Sequence, residues 1–406
     1  MNRLSGSTGL SRGPRTSLVR TPRLNIEFGA VLAVLFATGW VANHFVALMP
    51  AISDRQHLST ATLDAIFGIY AVGLLPGLLL GGRVSDVLGR RAVALTGSAT
   101  AAAGTVAMLL SQEPEVLTVG RLVVGVGVGL AMSSGTAWAS DLKGPAGAAT
   151  AGAVLMVGFA IGPFAGGLIT GAGEPGVQMS FAVAAALVVA AMAVTVAVAR
   201  RPSETVAAEP LNPEPPSQAQ QGIGRALSWA LPLAPWVFAS ATLGFVTIPA
   251  RVHIGLAAPV AAGFAALIVN GASGVVQIIA RVAQWGPRAG TAGAVLAALS
   301  YALIAVAPPT MTLALSLPLL LLLGCASGLS LREGLIDLEA AAPQLVRGTL
   351  TGVFYSVTYI GFGLPLLLTS GGPEGTELVL AVMAMLASIA AISRTMRLRR
   401  DSHRQN

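Results

Sequence analysis

The sequence predicts an all-α membrane protein, and three observations support that fold class. Hydrophobic residues occupy 54% of the 406 positions and the mean hydropathy is +0.76, a larger apolar share than a water-soluble fold of this size could cover with polar surface. Apolar stretches of about 20 residues recur, and at ~1.5 Å per residue each is long enough to cross a ~30 Å hydrocarbon core. Their hydrophobicity is continuous rather than alternating, which indicates helices and disfavours a membrane barrel.

Twelve such segments follow one another along the chain. They lie at roughly 27–50, 62–82, 92–111, 116–139, 149–171, 178–199, 226–250, 257–280, 290–307, 312–334, 348–370 and 377–393. Glycine and other small residues soften the ends of the fourth, fifth, tenth and eleventh segments, so those boundaries are the hardest to place. The even count predicts that both termini lie on the same side of the membrane.

The basic residues predict the orientation. All but one of the 24 are Arg, the exception being Lys143. With the N-terminus in the cytoplasm, all but four of them fall in cytoplasmic tails and loops; Arg55 and Arg251 face outward, and Arg121 and Arg332 lie within spans. This positive-inside bias sets the orientation and explains the net charge of +7 without nucleic acid as a partner. The single cysteine, Cys325, allows no disulfide framework.

Composition divides the chain into five parts. The tail over 1–26 carries arginines like the start of a signal peptide, but the apolar stretch after it is too long for one, so we interpret it as a retained cytoplasmic tail. The stretch 200–223 is rich in proline and has no aromatic residue, as expected of a cytoplasmic linker. Six-helix units remain at 27–199 and 224–393, followed by a basic cytoplasmic tail at 394–406.

The two six-helix units repeat each other at an offset near 200 residues. GLAMSSG at 129–135 pairs with GLSLREG at 328–334, and ATAG at 149–152 pairs with TLTG at 349–352. Six plus six helices with internal repetition is the arrangement of many secondary transporters.

A short charged loop, GGRVSDVLGRR, separates the second and third segments. Gly82 is expected to let helix 2 approach a neighbouring helix closely, and Gly89 to permit the tight reversal into helix 3. Asp86 is expected to cap a helix of the other half or to pair with an arginine. Arg90 and Arg91 have a simpler alternative role, as positive charges that anchor the loop on the cytoplasmic side.

This spacing resembles the signature loop of the major facilitator superfamily, and the twelve segments with their central linker extend the resemblance to nearly the whole chain. It implies two pseudo-symmetric six-helix bundles. It also implies a conformational latch formed by Gly82, Asp86, Gly89, Arg90, Arg91 and, at the cytoplasmic end of helix 4, Asp141. The chain departs from the family pattern at Val87, where Arg is common, and at 281–290, where the second-half counterpart has no Asp.

Two glycine-rich motifs add to the resemblance. GRLVVGVGVG in helix 4 is similar to the family's helix-4 motif, with Arg121 followed by closely packing glycines, although an arginine that extends to the membrane interface is the simpler alternative. A second motif, in helix 5, resembles the one that marks proton-antiporting exporters and is formed by Gly158, Gly162, Pro163, Gly166 and Gly167. It is expected to bend helix 5 and to bring it close to the other half; a merely kinked, glycine-rich span is the alternative.

Five polar residues are candidates for a substrate and proton cavity: Asn43, His44, Arg121, Arg332 and Glu333. His44 and Arg121 lie at the same depth in helices 1 and 4, so we expect them to share one polar site, and a histidine titrates near neutrality. A histidine near the outer interface is the alternative. Arg332 and Glu333 either form a functional pair or mark the cytoplasmic end of helix 10.

Two acids, Glu27 and Asp64, lie at span edges and are interpreted as helix caps or interfacial charges. No acid inside a span therefore stands out as a proton carrier. Helices 7, 8 and 11 contribute mostly Ala, Leu and Gly, which suits apolar ligands that need few orienting hydrogen bonds.

The resemblance and this lining together predict a secondary active transporter that exports small apolar or amphipathic molecules in exchange for protons. We expect a monomeric, multi-pass protein of the cell inner membrane, in contact with lipid, with both termini cytoplasmic. Uptake of a small organic anion or nutrient by symport is the alternative, and a non-transporting sensor or assembly partner is an alternative of another class. The chain has no Walker A loop, zinc-ligand pattern or hydrolase elbow, so we expect no cofactor, no metal and no enzymatic activity.

The predicted orientation can be tested by cysteine labelling in a Cys325→Ser background. Asp86→Cys and Asp141→Cys should react only with a thiol reagent that reaches the cytoplasm, because both positions fall on the arginine-rich side. Glu113→Cys, in the predicted outer loop between helices 3 and 4, should react from outside and serves as the control. Labelling of positions 86 and 141 by an impermeant external reagent would overturn the orientation.

Overall fold

A computed structural model gives the fold and describes residues 20–173, 175–198, 216–252, 255–343 and 346–405. These residues are almost entirely helical, and twelve of their helices are long and apolar enough to cross a membrane, which confirms the all-α class and the twelve predicted segments. The helices are α1 Leu24–Gln56, α2 Thr60–Leu88, α3 Arg90–Leu110, α4 Pro114–Gly144, α5 Ala146–Gly171, α6 Gly176–Val198, α7 Gln220–Arg251, α8 Ala258–Val282, α9 Arg288–Ala305, α10 Leu313–Ala341, α11 Thr349–Ser370 and α12 Gly372–Arg400.

Helical backbone extends beyond the predicted apolar segments in three places. It begins at Arg20, inside the predicted N-terminal tail, and it continues to Gln405, through most of the predicted C-terminal tail. A helix that leads into α7 starts at Pro216, within the predicted linker, whose residues 200–215 lie outside the described residues. Hydropathy identifies the part of a helix that fits the hydrocarbon core, and polar residues can prolong the same helix into water.

Local breaks interrupt several helices. The chain passes from α4 to α5 through only two residues with non-helical backbone angles, Lys143 and Gly144, which explains why this boundary is hard to place from sequence. In α11 a 3₁₀ turn over Ile360–Gly363 separates two α-helical pieces, and in α7 a π turn occupies Leu243–Thr247. Gly89 closes α2 with a φ of +91°, and this confirms the tight reversal predicted there, because L side chains rarely adopt such angles.

Helices α1–α6 and α7–α12 form two halves that meet along two seams. The seams are α2 against α11 and α5 against α8, and α1 also contacts α8. We call the end of the bundle that carries Arg83, Arg90 and Arg394 the arginine-rich end, and the opposite end, where α4 and α10 begin, the far end.

Helix α4 is packed between α2 and α3 through its glycines. A Cβ atom placed on Gly129 would lie 3.0 Å from the Cα of Gly77 in α2, and one on Gly127 would lie 2.9 Å from the Cα of Ala101 in α3. Real Cβ atoms do not approach backbone atoms this closely without displacing them. The glycines of the helix-4 motif therefore bring three backbones into direct contact, as small residues do in membrane helix packing.

We expect Gly129→Ala to lower the stability of the folded protein by about 1–3 kcal/mol, because its methyl group would force α2 and α4 apart. The measurement is the thermal unfolding midpoint in detergent. Gly274→Ala in α8 is the matched control, since a Cβ there would meet nothing within 4 Å and alanine favours the helix. Equal midpoints for the two variants would contradict the packing role of Gly129.

Candidate functional site

Arg121 is completely buried in the first half. It lies about 10 Å along α4 from the far end, at the helical rise of ~1.5 Å per residue. Its Nη1 donates a hydrogen bond of 3.1 Å to the carbonyl oxygen of Ala42 in α1. The structure thus places this side chain inside the protein and excludes the alternative of an arginine that extends to the membrane surface.

Three aromatic rings surround the Arg121 guanidinium. Its Cζ lies 4.4 Å from the ring centroid of Tyr70, 4.8 Å from that of Phe45 and 5.9 Å from that of Phe67, distances at which a cation is attracted to the ring face. Sequence reasoning missed these rings. The only available signal was the spacing of Phe67 and Tyr70, which puts both on one face of α2.

The rings of α2 continue into the second half. Phe67 stacks on Phe362 of α11 with centroids 5.0 Å apart, and Tyr70 lies 5.8 Å from the same ring. Phe362 also contacts Tyr359 and Phe238. A continuous group of rings therefore connects the surroundings of Arg121 with α7 and α11 of the other half.

Several buried polar atoms around Arg121 have no hydrogen-bond partner. They include Nε and Nη2 of Arg121 itself, the hydroxyl of Tyr70 and, across the seam, the hydroxyl of Tyr359. Among the described residues no carboxylate forms an ion pair with Arg121. A buried cation without an anion is costly, so this side chain has unused capacity to bind one.

His44 and Asn43 lie near Arg121 but make different contacts. His44 occupies the break in α1, where its Nδ1 lies 3.1 Å from the carbonyl oxygen of Val41 and its ring meets the edge of Phe181 in α6. Asn43 donates a 3.0 Å hydrogen bond to the carbonyl oxygen of Phe159 in α5. All three polar residues belong to one region of the first half, yet the histidine faces α6 rather than sharing a hydrogen bond with the guanidinium.

Arg332 and Glu333 lie far from that region. Glu333 is buried and pairs with its neighbour Arg332, but it lies about 30 Å along α10 from the far end, some 20 Å deeper than Arg121 by helical rise. The five predicted cavity residues therefore form two separate groups, and only Asn43, His44 and Arg121 are close together.

The charged loop binds mainly within its own half. Arg90 forms ion pairs with Asp86 at 2.6 Å and with Asp141 at 3.0 Å, and its Nη1 also donates to the carbonyl oxygen of Gly82. Arg91 is partly buried and donates to the carbonyl oxygen of Val196 at 3.4 Å. Asp86 thus pairs with an arginine, which is one of its two predicted roles. Within the described part of the chain it caps no helix of the other half.

Two details of this loop differ from the sequence expectation. The prediction that Gly82 permits close helix contact is wrong, because a Cβ there would meet nothing within 4 Å; Gly77, one turn and a half earlier, makes the close approach. Arg83 of the loop reaches the other half, where its Nη2 donates to Thr349 Oγ1 at 2.8 Å. Its position inside the motif was the only sequence signal for this role.

The second half has a counterpart of the loop cluster that the sequence did not reveal. Arg394 of α12 is buried, pairs with Asp337 of α10 at 2.6 Å and donates to the carbonyl oxygen of Pro287 between α8 and α9. In the first half the same arrangement joins Arg90, Asp141 and the Gly82 carbonyl. The loop at 281–290 needs no aspartate because α10 supplies the acid and α12 the arginine.

The helix-5 motif lies between helices of both halves. A Cβ on Gly158 would lie 3.0 Å from the Cα of Gly39 in α1, and one on Gly162 would lie 2.8 Å from the carbonyl oxygen of Trp40. Gly166 faces α1 and α6 of the same half, with Ser180 Oγ at 3.1 Å from its virtual Cβ.

Gly167 and Pro163 contact the second half. The virtual Cβ of Gly167 would lie 3.3 Å from the Cα of Gly263 in α8, and that of Gly263 would lie 2.7 Å from the Pro163 carbonyl oxygen. The predicted close contact with the other half is confirmed at Gly167. The backbone angles remain helical through Pro163, so the structure gives no sharp bend at this proline.

Asp64 also differs from its interpretation as a helix cap. Ser59 caps α2, accepting a hydrogen bond from the backbone nitrogen of Thr62, whereas Asp64 is buried at the seam. There it accepts a 3.1 Å hydrogen bond from the hydroxyl of Thr369 in α11. This polar contact joins the halves near the far end.

A twelve-helix bundle in two repeated halves, with a buried and incompletely paired polar site beside the seam, is the architecture of a membrane transporter. The chain belongs to the Major Facilitator Superfamily, whose family profile matches residues 30–366. The resemblance seen in the loop between α2 and α3 is thereby confirmed.

Curated relatives of the chain are named for different kinds of transport. The chain is 28% identical over 148 residues to the 3-(3-hydroxy-phenyl)propionate transporter of Escherichia coli, an alignment that covers 36% of this chain and 37% of the relative. It is 29% identical over 98 residues to the multidrug resistance protein MdtL of Escherichia coli, covering 24% of this chain and 25% of the relative. The chain thus spans about a quarter to just over a third of the length of these curated relatives.

Among solved structures, the POT family transporter PepTSo superposes with a TM-score of 0.73 over 92% of this chain and 97% of its own, at 13% identity. The peptide transporter POT in complex with sulfate superposes with a TM-score of 0.71 over 91% of this chain and 94% of its own, at 14% identity. At these identities the likeness establishes the fold.

We expect Asp86→Asn to slow transport while leaving the protein as stable as the wild type. Its side chain is more than half exposed in the ion pair with Arg90, so the pair contributes at most about 1 kcal/mol. Loss of a charge from a conformational latch shifts the balance of states by about 1–3 kcal/mol. Flux at equal expression and the thermal unfolding midpoint are the two measurements. Asp54→Asn, which changes an exposed acid at the far end, is the control. If Asp86→Asn transports as fast as the wild type, the loop serves only to anchor the topology.

Proposed function

We propose that the chain works by alternating access and exports small apolar or amphipathic molecules in exchange for protons. The observation that carries this proposal is the position of the helix-5 motif, whose Gly167 and Pro163 contact Pro259 and Gly263 of α8 across the seam. Contacts made by small residues and backbone let two rigid halves rock against each other without repacking large side chains. The resemblance of the motif to that of proton-antiporting exporters favours outward transport.

In this proposal the arginine-rich end faces the cytoplasm, with both termini and the 200–223 linker on that side. The halves 27–199 and 224–393 move about the seams as a monomer in the lipid bilayer. The latch residues Asp86, Arg90 and Asp141 stabilise the first half in the present conformation. In another conformation Asp86 turns to the other half, while Arg90 and Asp141 stay paired.

The names of the relatives support transport of small molecules without selecting a direction. MdtL is named for multidrug resistance, and the hydroxyphenylpropionate transporter for an organic acid. Uptake of a small organic anion is therefore the second candidate, and the incompletely paired Arg121 is the observation that favours it. A non-transporting sensor is the third, and measurable flux through the purified protein would eliminate it.

Inverted membrane vesicles with an acidic interior distinguish export from uptake. A substrate of a proton-coupled exporter should accumulate inside and collapse the pH gradient, because each inward passage releases a proton to the outside. Vesicles without the protein provide the control for passive leakage. Two results together would replace export by uptake of a small organic anion. No compound would collapse the pH gradient, and Arg121→Ala would abolish a measured uptake of solute.

A further inference from the structure

The Arg121 guanidinium presents an unused edge with a particular shape. Its Nη1 is committed to the Ala42 carbonyl oxygen, whereas Nε and Nη2 are buried without partners. These two nitrogens lie on the same edge of the planar guanidinium and donate in parallel, which is the geometry that holds both oxygens of a carboxylate at once. A buried arginine stays charged, and beyond its contacts with the Ala42 carbonyl oxygen and the rings an anion would lower the energetic cost of its burial further.

The surroundings of that edge are aromatic. Tyr70, Phe45 and Phe67 line the guanidinium, and Phe362 of the other half stacks on Phe67. Flat rings favour a flat ligand body through offset or edge contacts. An inorganic anion would use the charge but leave these rings without a role.

Two unpartnered hydroxyls lie on opposite sides of the seam. Tyr70 belongs to α2 of the first half and Tyr359 to α11 of the second, and both contact Phe362. A ligand that contacts Arg121, the rings and these hydroxyls would therefore touch both halves at once. Such a ligand can bias the equilibrium between conformations, because its contacts differ when the halves separate.

We propose that Arg121, Tyr70 and the Phe67–Phe362 stack form a recognition site for aromatic carboxylates, with the carboxylate on Nε and Nη2 and the ring among the aromatic side chains. This inference rests on the proposed function, in that the ligand is the transported substrate. It names the substrate class for either direction of transport.

Binding by the purified full-length protein tests the proposal. The probes are benzoate, 3-phenylpropionate and 2-naphthoate, each compared with its own uncharged primary amide, and sulfate as an anion without a ring. At least one acid should bind about 30-fold or more tightly than its amide, as expected for a carboxylate that pairs with a buried charge, and should raise the thermal unfolding midpoint. Sulfate should bind more weakly than that acid.

Variants assign the binding to the predicted residues. Arg121→Gln should abolish the preference for the acid over the amide, and Arg121→Lys, which keeps the charge but not the parallel donors, should weaken binding of the acid about tenfold or more. Arg55→Gln, which removes a charge from a partly buried arginine near the far end, should bind like the wild type. If Arg121→Gln does not fold, the lysine variant and the comparison of acids with amides on the wild-type protein still decide the question.

Any of four results would overturn the proposal. Two of them are that acids and amides bind equally and that acid binding persists in both Arg121 variants. The other two are that none of the three acids binds and that sulfate binds as tightly as the acids. Flux measurements separate it from the proposed function. If acids bind through Arg121 but no compound is transported, the recognition site is supported and the proposed transport function is wrong. If proton-driven flux does not depend on Arg121, the transport function is supported and the recognition site is wrong.

Discussion

The close packing of α4 between α2 and α3 is the constraint on which the rest of the first half depends. Glycines on two sides of α4 replace side chains by direct backbone contact, with Gly129 against Gly77 and Gly127 against Ala101. In a membrane the gain comes from dispersion and fit rather than from removal of water. Because α4 is held so tightly, Arg121 on the same helix cannot swing toward the interface and stays among the rings of α1 and α2. The glycine motif thus accounts for both the packing and the burial of the charge.

The buried guanidinium of Arg121 lies beside the seam, and the rings around it contact the second half. The rings of Phe67 and Tyr70 shield Arg121 on the side of the second half. Phe67 stacks on Phe362, and Tyr70 contacts the same ring at a tilt. In the proposed mechanism, separation of the halves opens this stack and exposes the unpartnered donors of Arg121. The polar site and the movement of the halves are therefore linked by the same aromatic contacts, with no separate signal needed between them.

Properties that depend on chain composition were predictable, and those that depend on which side chains meet were not. Twelve apolar runs, the reversal at Gly89 and the acid at Asp141 follow from hydropathy, backbone angles and spacing, and the structure confirms them. The sequence predicts a close contact at Gly82 that its position on the helix surface does not provide. The sequence also places Arg332 and Glu333 in one cavity with Arg121, although their helix holds them at another depth. The pairing of Asp337 with Arg394 joins two helices whose contact no local pattern encodes, and the burial of Asp64 at Thr369 depends in the same way on tertiary packing.

The distribution of ion pairs indicates how the two halves can move. Arg90 with Asp141 and Arg394 with Asp337 each join helices within one half, so neither pair has to break when the halves rock. Across the seam, three polar contacts between described residues are single hydrogen bonds. They run from Arg83 to Thr349 near the arginine-rich end, from Asn270 to the Phe159 carbonyl oxygen at 3.4 Å, and from Thr369 to Asp64 near the far end. Each has a net value of about 0.5–1.5 kcal/mol, or up to about 3 kcal/mol where a charged group takes part. Strong charge pairs therefore stiffen each half, while weak contacts and small residues occupy the seam. That division of strong and weak interactions is what alternating access by rigid bodies requires.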